Sequence, residues 1–363
     1  MSSDRVGMID FDVIPPNPPN EGILFVDHSK EGRSGHLGHG LVEYAPGKIL
    51  AFYANCSDAN KGHAAEGWTE YKRSVDGGET WSEPIEFEHA KRIFDDGQRR
   101  SAFCEKAVLA PDGAIVVTTL ECDLQTNPGW HPHYEPLSFR STDGGETWEG
   151  AVPVSDEPGR VYDMMRLGDE IIALEFCNDT EENFVGTRPE HVYNLYVSGD
   201  SGKSFSLRST LPFDTEGRGY GTMSVLPDGG LIAYVYNIND EQHLDYVVSY
   251  DDGRTWTEPR TAFFERQIRN PQMTAFKDGY VLHGRSGSKG DEEIRGHFIL
   301  YTSRDGVTWD AGQYLRMQEA AAGAYSNAIV VGALDPDTPN RLLIQASHAY
   351  EQAKTNILHW WLT

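Results

Sequence analysis

Short apolar runs alternate with polar turns along most of the chain, and they come in pairs joined by a turn that contains glycine. Runs of this length, bounded by turn residues, predict antiparallel hairpins. Six such pairs occur, and we predict a hairpin for each. They read HGLVEYAPGKILAFY, EKAVLAPDGAIVVTT, VYDMMRLGDEIIALEF, GTMSVLPDGGLIAYVY, PQMTAFKDGYVLHGR and YSNAIVVGALDPDTPNRLLIQAS.

A second repeat, Ser-x-Asp-x-Gly-x-Thr-Trp, runs out of phase with these hairpins. Its copies are Ser74–Trp81, Ser141–Trp148, the softer Ser198–Phe205, Ser249–Trp256, and Thr302–Trp309, which has Arg304 at the aspartate position and Asp305 beside it. Serine and aspartate oxygens satisfy backbone N–H groups within a turn, and glycine supplies the positive φ. We therefore expect each octamer to form an outer hairpin turn, with its aromatic residue packed between neighbouring sheets.

Many short strands with regular turns predict radial repetition of four-stranded sheets. The sequence thus predicts an all-β fold, a six-bladed β-propeller, as a single domain over residues 1–363. The sixth unit lacks an octamer. We expect its outer strand to come from MIDFDVI near the N-terminus, which would close the ring beside NILHWWLT at the C-terminus.

Composition and charge narrow the partners. The chain is 39% hydrophobic, enough for a large core, and its formal net charge of −25 disfavours nucleic acid and anionic membranes as partners. No long apolar run or apolar leader is visible, which predicts a cytoplasmic protein. The four cysteines form no CxxC pair, so we expect reduced, mostly buried thiols rather than a zinc knuckle or a disulfide scaffold.

Five octamers of this kind, known as Asp boxes, set on six inner hairpins resemble the sialidase (neuraminidase) superfamily over essentially the whole chain. In that family the Asp box lies on the rim, away from the active site, so it indicates the fold and not the chemistry. The resemblance implies a site in which three arginines bind a carboxylate, an aspartate acts as acid and base, and a tyrosine paired with a glutamate attacks the substrate.

Two positions match this pattern. Tyr325, followed by Ser326, opens the inner strand of the last blade, where the family has its nucleophile. Arg295 lies about thirty residues earlier, in the place of the third arginine. The resemblance therefore implies that Tyr325 lies at the mouth of the central channel and that Arg295 binds the substrate.

The acid/base position and the first arginine position depart from the family. His39 lies near the place of the first arginine, and His63 lies near that of the acid/base aspartate, with Asp58 as the nearest carboxylate. Because histidine titrates near neutral pH, we expect His63 and His39 to be catalytic as acid or base. His36 lies close to His39, but the spacing of these histidines matches no structured zinc signature, so no metal or other cofactor is predicted.

The second arginine and the glutamate are also replaced. His243 or Leu244 stands where the second arginine is expected, and the glutamate position falls near Tyr220. Cleavage of ordinary sialosides is therefore not expected.

Position within the repeat points to further side chains that face the channel. Those expected to bind substrate, besides Arg295, are Arg285, Glu105, Tyr220, Asn270 and Tyr162. Neighbouring candidates are Lys106, Arg160, Asp163, Arg218 and Arg269. Trp130, His131, His133 and Tyr134 fall in a loop that is typical of sugar stacking.

Three functions remain open. The first is a glycoside hydrolase that acts on an acidic sugar or oligosaccharide through a Tyr/His/Arg site. The second is a lyase that cleaves uronic-acid linkages by β-elimination, with histidine and tyrosine as base and acid. The third is a propeller that binds a glycan without catalysis.

Overall fold

The computed structural model describes residues 13–14, 22–57, 66–125, 134–177, 191–286, 298–315, 325–351 and 354–363. Near the N-terminus lie strands β1 (Val13–Ile14) and β2 (Ile23–Val26) and a 3₁₀ helix, His28–Glu31. An α-helix, α1 (Glu88–Asp95), follows the first sheet. No helix among these residues is long and apolar enough to cross a membrane.

The next strands form five four-stranded antiparallel sheets, blades 1 to 5, each running outward in chain order. Blade 1 contains β3 (Leu41–Ala45), β4 (Lys48–Cys56), β5 (Gly67–Ser74) and β6 (Ile85–Glu86). Blade 2 contains β7 (Arg100–Leu109), β8 (Ile115–Asp123), β9 (Leu137–Ser141) and β10 (Glu149–Pro153). Blade 3 contains β11 (Gly159–Leu167), β12 (Glu170–Cys177), β13 (Val192–Ser198) and β14 (Ser206–Thr210).

Blade 4 contains β15 (Arg218–Val225), β16 (Leu231–Asn237), β17 (His243–Ser249) and β18 (Arg260–Phe263). Blade 5 contains β19 (Arg269–Phe276), β20 (Gly279–Arg285), β21 (Phe298–Ser303) and β22 (Gln313–Leu315). Blade 6 contains β23 (Ser326–Val331), β24 (Arg341–Glu351) and β25 (Lys354–Leu362). The prediction of a six-bladed propeller is confirmed.

The N-terminal segment closes the ring. Val13 pairs with Leu362, and Ile23 of β2 pairs with His359, so both N-terminal strands pair with β25. The predicted outer strand of blade 6 is therefore confirmed for Val13–Ile14. The first strand of each blade contacts the first strand of the next blade, and β23 of blade 6 contacts β3 of blade 1. The six first strands together surround a central channel.

The Asp boxes form the turns between the third and fourth strands of blades 1 to 5, as predicted. In the first box, Ser74 Oγ accepts a hydrogen bond from the N–H of Gly78 at 2.8 Å and donates one to Asp76 at 2.8 Å. Asp76 in turn accepts from the N–H of Thr80. The serine and aspartate side chains thus satisfy backbone N–H groups of the turn, which is why these residues recur at the same place.

The fifth box differs from the prediction in its register. Ser303, and not Thr302, is the serine of this turn: its Oγ accepts from the N–H of Gly306 and donates to Asp305. The box is one residue shorter than the others. Arg304 therefore does not replace the aspartate, because Asp305 fills that role.

The Asp-box tryptophans join neighbouring blades. Trp148 of blade 2 packs edge-on against Phe52 and Phe87 of blade 1, with ring centroids 5.8 and 5.4 Å apart. Trp309 of blade 5 lies 6.3 Å from Tyr234 of blade 4 in the same way. The expected packing between sheets is confirmed. Cys56, Cys104, Cys122 and Cys177 are all buried and free, as expected.

Candidate active site

A β-bulge recurs in the first strand of four consecutive blades. The pairing register shifts between Cys104 and Lys106, between Val161 and Asp163, between Gly219 and Gly221, and between Arg269 and Gln272. The residues within these shifts include Glu105, Tyr162, Tyr220 and Asn270, and all four line one cavity at the end of the central channel. Bulges re-aim side chains. The repeated bulge thus explains how four blades each direct a residue into the same cavity.

Two of these residues have strained backbones. Tyr220 has φ +38° and Asn270 has φ +53°, in the left-handed region that side chains other than glycine rarely adopt. Such a conformation costs roughly 1–3 kcal/mol and persists only where the surrounding structure enforces it. Strain of this kind concentrates at functional sites, and here it lies in the lining of the cavity.

Tyr325 precedes β23 and lines the same cavity. Its side chain is partly exposed, and its ring lies 4.6 Å from that of His36 and 6.1 Å from that of Tyr220. The guanidinium carbon of Arg285 lies 5.7 Å from the centre of the same ring. The predicted nucleophile therefore lies at the cavity, beside a cation.

The surroundings of Tyr325 favour its ionised form. Burial by itself raises the pKa of Tyr325, but Arg285, a hydrogen bond with Tyr220, and the more distant Arg269 and Arg160 together hold that pKa below its ordinary value. Burial and the charge of Tyr325 raise the pKa of Tyr220 well above its ordinary value. The two phenols differ in this way, so the hydrogen bond between them favours Tyr220 as the donor and Tyr325 as the acceptor.

Three cations around the cavity have carboxylate partners. Arg160 contacts Glu105 at 2.6 Å, Arg269 contacts Glu241 at 3.2 Å, and Lys106 contacts Asp163 at 3.2 Å. Arg160 also lies over the rings of Tyr162 and Tyr220, at 5.2 and 5.4 Å. Arg269 donates to the hydroxyl of Tyr236 at 3.1 Å. These pairs offset the desolvation of buried charge and hold the aromatic lining in place.

The inner end of the cavity is closed by a network centred on Lys106. Its ammonium group donates to Gln272 and, at 3.1 Å, to Asn327. Asn327 donates to the carbonyl of His39 at 3.1 Å, and the Lys106 partner Asp163 accepts from the N–H of Met223 at 2.7 Å. These residues come from blades 2 to 6 and from the segment that enters blade 1. The network therefore joins the inner strands of five blades at the cavity.

His39 lines the cavity, in agreement with its expected place at the channel. Burial lowers the pKa of His39 to about 3, and its Nδ1 lies 3.2 Å from the side-chain amide of Gln345. A histidine with so low a pKa is neutral at physiological pH. The environment of His39 favours a hydrogen-bonding role over that of a proton donor.

The remaining candidates include residues that the structure does not describe and residues engaged in other contacts. Arg295, His63, Asp58, Trp130, His131 and His133 lie outside the described residues. Arg218 pairs with Asp245 at 2.7 Å, and His243 contacts Asp240 at 3.0 Å, so both are engaged in blade 4. Leu244 is buried in the core. Tyr134 packs under Arg100, whose guanidinium carbon lies 4.3 Å from the ring centre.

Three residues that the sequence did not single out belong to the site: Gln272, Asn327 and Tyr236. Gln272 and Asn327 each lie two positions after a residue that was singled out, Asn270 and Tyr325 respectively. Tyr236 lies opposite Gly219 on the neighbouring strand, and its ring is 5.8 Å from that of Tyr220. For Gln272 and Asn327, the alternation of side chains along an inner strand, with a period of two, was the signal in the sequence that could have identified them. No group of three potential metal ligands occurs among the described residues.

Comparisons with known proteins agree with this architecture. The model of the BNR/Asp-box repeat family matches residues 139–149, which contain the whole of the second octamer, Ser141–Trp148. No curated protein sequence matches the chain.

Solved structures show the same fold at low identity. A Dyadobacter fermentans protein of unknown function is 17% identical, with a TM-score of 0.69, over 94% of this chain and 97% of that one. A Hadza microbial sialidase is 17% identical, with a TM-score of 0.66, over 93% of this chain and 68% of that one. An α-L-arabinanase of Penicillium chrysogenum, complexed with arabinobiose, is 14% identical, with a TM-score of 0.59, over 96% of both chains.

Proposed function

We propose that this chain, whose fold is the six-bladed sialidase-like propeller with Asp-box turns, is a glycoside hydrolase in which Tyr325 is the nucleophile. One observation carries the proposal: a cavity-lining phenol whose pKa is held below its ordinary value by Arg285 and by the donor Tyr220. A phenol is a weak nucleophile unless its surroundings favour the phenolate. Those of Tyr325 do.

The reaction follows from this arrangement. Tyr325 Oη forms a bond to the anomeric carbon of the sugar while the glycosidic C–O bond breaks, and the departing oxygen takes a proton from an acid. The acid, now deprotonated, takes a proton from water as the water attacks the same carbon and releases the tyrosine, so the net reaction is hydrolysis with retention. Tyr220 positions the attacking oxygen by its hydrogen bond. We assign the acid to His63, the residue that the sequence indicates.

The proposed substrate is a sugar that bears a carboxylate. The positive field that lowers the pKa of Tyr325 also attracts an anion to the same place. Arg285 is the cation nearest the ring of Tyr325 among the contacts described, and Arg295 is assigned to the same carboxylate on the sequence pattern. A guanidinium suits this role because it binds a carboxylate through two parallel hydrogen bonds.

The test is release of the aglycone from a panel of aryl glycosides of sialic acid, glucuronic acid, galacturonic acid, galactose and arabinose. We expect turnover of at least one acidic member, and Tyr325→Phe to reduce kcat by about 10³-fold or more. Binding of a panel sugar without turnover would favour the glycan-binding alternative. Full activity of Tyr325→Phe would remove the tyrosine from the chemistry.

A lyase is the second candidate, and the phenol pair favours it. Among the described residues, no carboxyl side chain contacts the hydroxyl of Tyr325, whereas Tyr220 does. In β-elimination, Tyr325 would take the proton beside the uronate carboxylate. The C–O bond to the leaving sugar would then break, and Tyr220 would protonate the leaving oxygen. The product is an unsaturated uronide with strong ultraviolet absorbance, whereas hydrolysis of the same polymer gives only reducing ends.

A further inference from the structure

We propose that Asn270 is a specificity-determining residue whose side-chain amide binds a hydroxyl group of the sugar. This inference rests on the proposed function only in that a sugar enters the cavity. It assigns to one wall of the cavity a ligand chemistry different from that at Tyr325, where the field favours a carboxylate.

The amide of Asn270 has no partner within the described part of the chain. The residue is 4% exposed, and neither its Oδ1 nor its Nδ2 makes a hydrogen bond there. A buried amide with both polar atoms unsatisfied destabilises a protein by a few kcal/mol and is rare in native structures. Because Asn270 lines the cavity, a bound molecule is the partner that its geometry allows.

The backbone places this side chain at a further cost in stability. Asn270 has φ +53° and lies in the bulge between Arg269 and Gln272. An ordinary strand at this point would avoid both the strain and the buried amide. The structure around Asn270 is thus less stable than a regular strand would be. Local strain of this kind concentrates at functional sites.

The neighbouring lining indicates which group is bound. Glu105 Oε1, like the amide of Asn270, lines the cavity without a hydrogen-bond partner among the described residues. The carboxylate of Glu105 repels an anion, and it can accept a hydrogen bond but cannot donate one. The amide offers both a donor and an acceptor, and a carboxylate ligand would use only the donor. A hydroxyl group both donates and accepts, so it can pair with the amide, and a neighbouring hydroxyl can donate to Glu105.

The size of the cavity agrees with this chemistry. Its volume is about 40 Å³, whereas a water molecule requires roughly 10–15 Å³ on this measure. The cavity therefore accepts about three groups the size of a hydroxyl and not a whole sugar ring. The ring itself would lie further out, with one hydroxyl-bearing edge directed at Asn270.

A purely structural role for Asn270 predicts different behaviour. Asparagine is the residue other than glycine that best tolerates φ > 0, so the bulge alone would explain its presence. Glycine would then replace it without effect on ligand binding. Lys277 provides a matched control, because it has φ +51° in the turn of the same hairpin and is exposed, away from the cavity.

The experiment measures sugar binding to three proteins: the Tyr325→Phe variant, and the same variant with either Asn270→Gly or Lys277→Gly added. Tyr325→Phe is present in all three to prevent turnover. The probes are N-acetylneuraminic acid, glucuronic acid, galacturonic acid, galactose and arabinose, with the monodeoxy forms of the sugar that binds best. We expect Asn270→Gly to weaken binding at least tenfold while raising Tm, and Lys277→Gly to raise Tm and leave affinity unchanged.

One deoxy sugar should bind at least tenfold more weakly to the Asn270 protein, and this difference should vanish in Asn270→Gly, since the two changes remove the same contact. Affinities within twofold for Asn270→Gly with every sugar would overturn the inference, as would the absence of binding by all five sugars. If the contact is found but no glycoside is cleaved, the inference stands and the proposed hydrolase activity fails.

Discussion

Two neighbouring tyrosines illustrate how surroundings assign chemistry to identical side chains. The rings of Tyr325 and Tyr220 lie 6.1 Å apart, yet the pKa of one is lowered and that of the other is raised. Arg285 stacks on Tyr325, whereas the charge of Tyr325 itself acts on Tyr220. Groups whose environments move their pKa values apart are the ones that divide donor and acceptor roles in a site.

Arg285 sets the ionisation of Tyr325, and its replacement tests this. Arg285→Met removes a positive charge that favours the phenolate, so the pKa of Tyr325 should rise toward or above its ordinary value. The pH at which activity increases should move upward with it. Arg285→Lys keeps the charge and should shift both much less.

The measurement is the ultraviolet absorbance of tyrosinate as a function of pH, taken as the difference from the matching Tyr325→Phe protein. Equal midpoints in Arg285→Met and the unmodified chain would show that another group controls the phenol.

At the scale of elements, the bulges decide what the cavity contains. A regular strand alternates its side chains between two faces, and one extra residue breaks that alternation. The positions of Glu105, Tyr162, Tyr220 and Asn270 relative to the inner turns identified them from sequence as candidates. The bulges themselves were not predicted, because no glycine or proline pattern common to the four strands marks them.

The Asp-box turn is the element that repeats most faithfully, and its serine is the natural place to test it. Ser74 is buried, and Ser74→Ala leaves the N–H of Gly78 without its partner. We expect a loss of about 1–2 kcal/mol in the free energy of unfolding. Val75→Ala, in the same turn at a position 72% exposed, should change it by less than about 0.5 kcal/mol.

Urea unfolding of both variants checks this prediction. Equal losses of unfolding free energy in the two variants would mean that the turn is held by its backbone alone.

The contribution of the turn to stability should also depend on pH. Hydrogen bonds from Thr80 and Ser74 lower the pKa of Asp76 to about 2 from an ordinary 3.8. Its contribution is therefore present at neutral pH and is lost as the pH falls toward about 2.

At the scale of the molecule, Lys106 joins the blades across the channel. Its network separates the candidate site from a second cavity of about 310 Å³, lined by Met164, Met223 and Met273 among others. Lys106, Gln272 and Asn327 line both cavities. The residues of this network thus lie between the two cavities, and Tyr325 lines only the first of them.

Breaking this network should destabilise the whole propeller. Lys106→Met leaves the carboxylate of Asp163 buried without its cation, and we expect a loss of roughly 3–5 kcal/mol in the free energy of unfolding. Adding Asp163→Asn removes the uncompensated charge and should restore a large part of that loss. Urea unfolding of the single and double variants gives the comparison. A single variant as stable as the unmodified chain would mean that the channel is not held by this pair.

The architecture was predictable because the repeat is written in the sequence: six hairpins and five boxes fix the number of blades. The site was predictable only where position in the repeat fixes position in space, as for Tyr325 and Asn270. Contacts across the channel, such as that between Lys106 and Asn327, join residues far apart in the chain. Spacing carries no information about them. Arg285, predicted from its position in the repeat, contacts Tyr325, while the role of Arg295 stays a prediction.

The central claim is that Tyr325 attacks the sugar, and trapping the covalent intermediate tests it most directly. The protein would be incubated with fluorinated glycosyl fluorides of the sugar that it hydrolyses, and its intact mass and peptides would be measured. The account predicts a gain of one glycosyl unit, carried by the peptide that contains Tyr325, and no gain in Tyr325→Phe. A label on any other residue, or a labelled Tyr325→Phe protein, would contradict it.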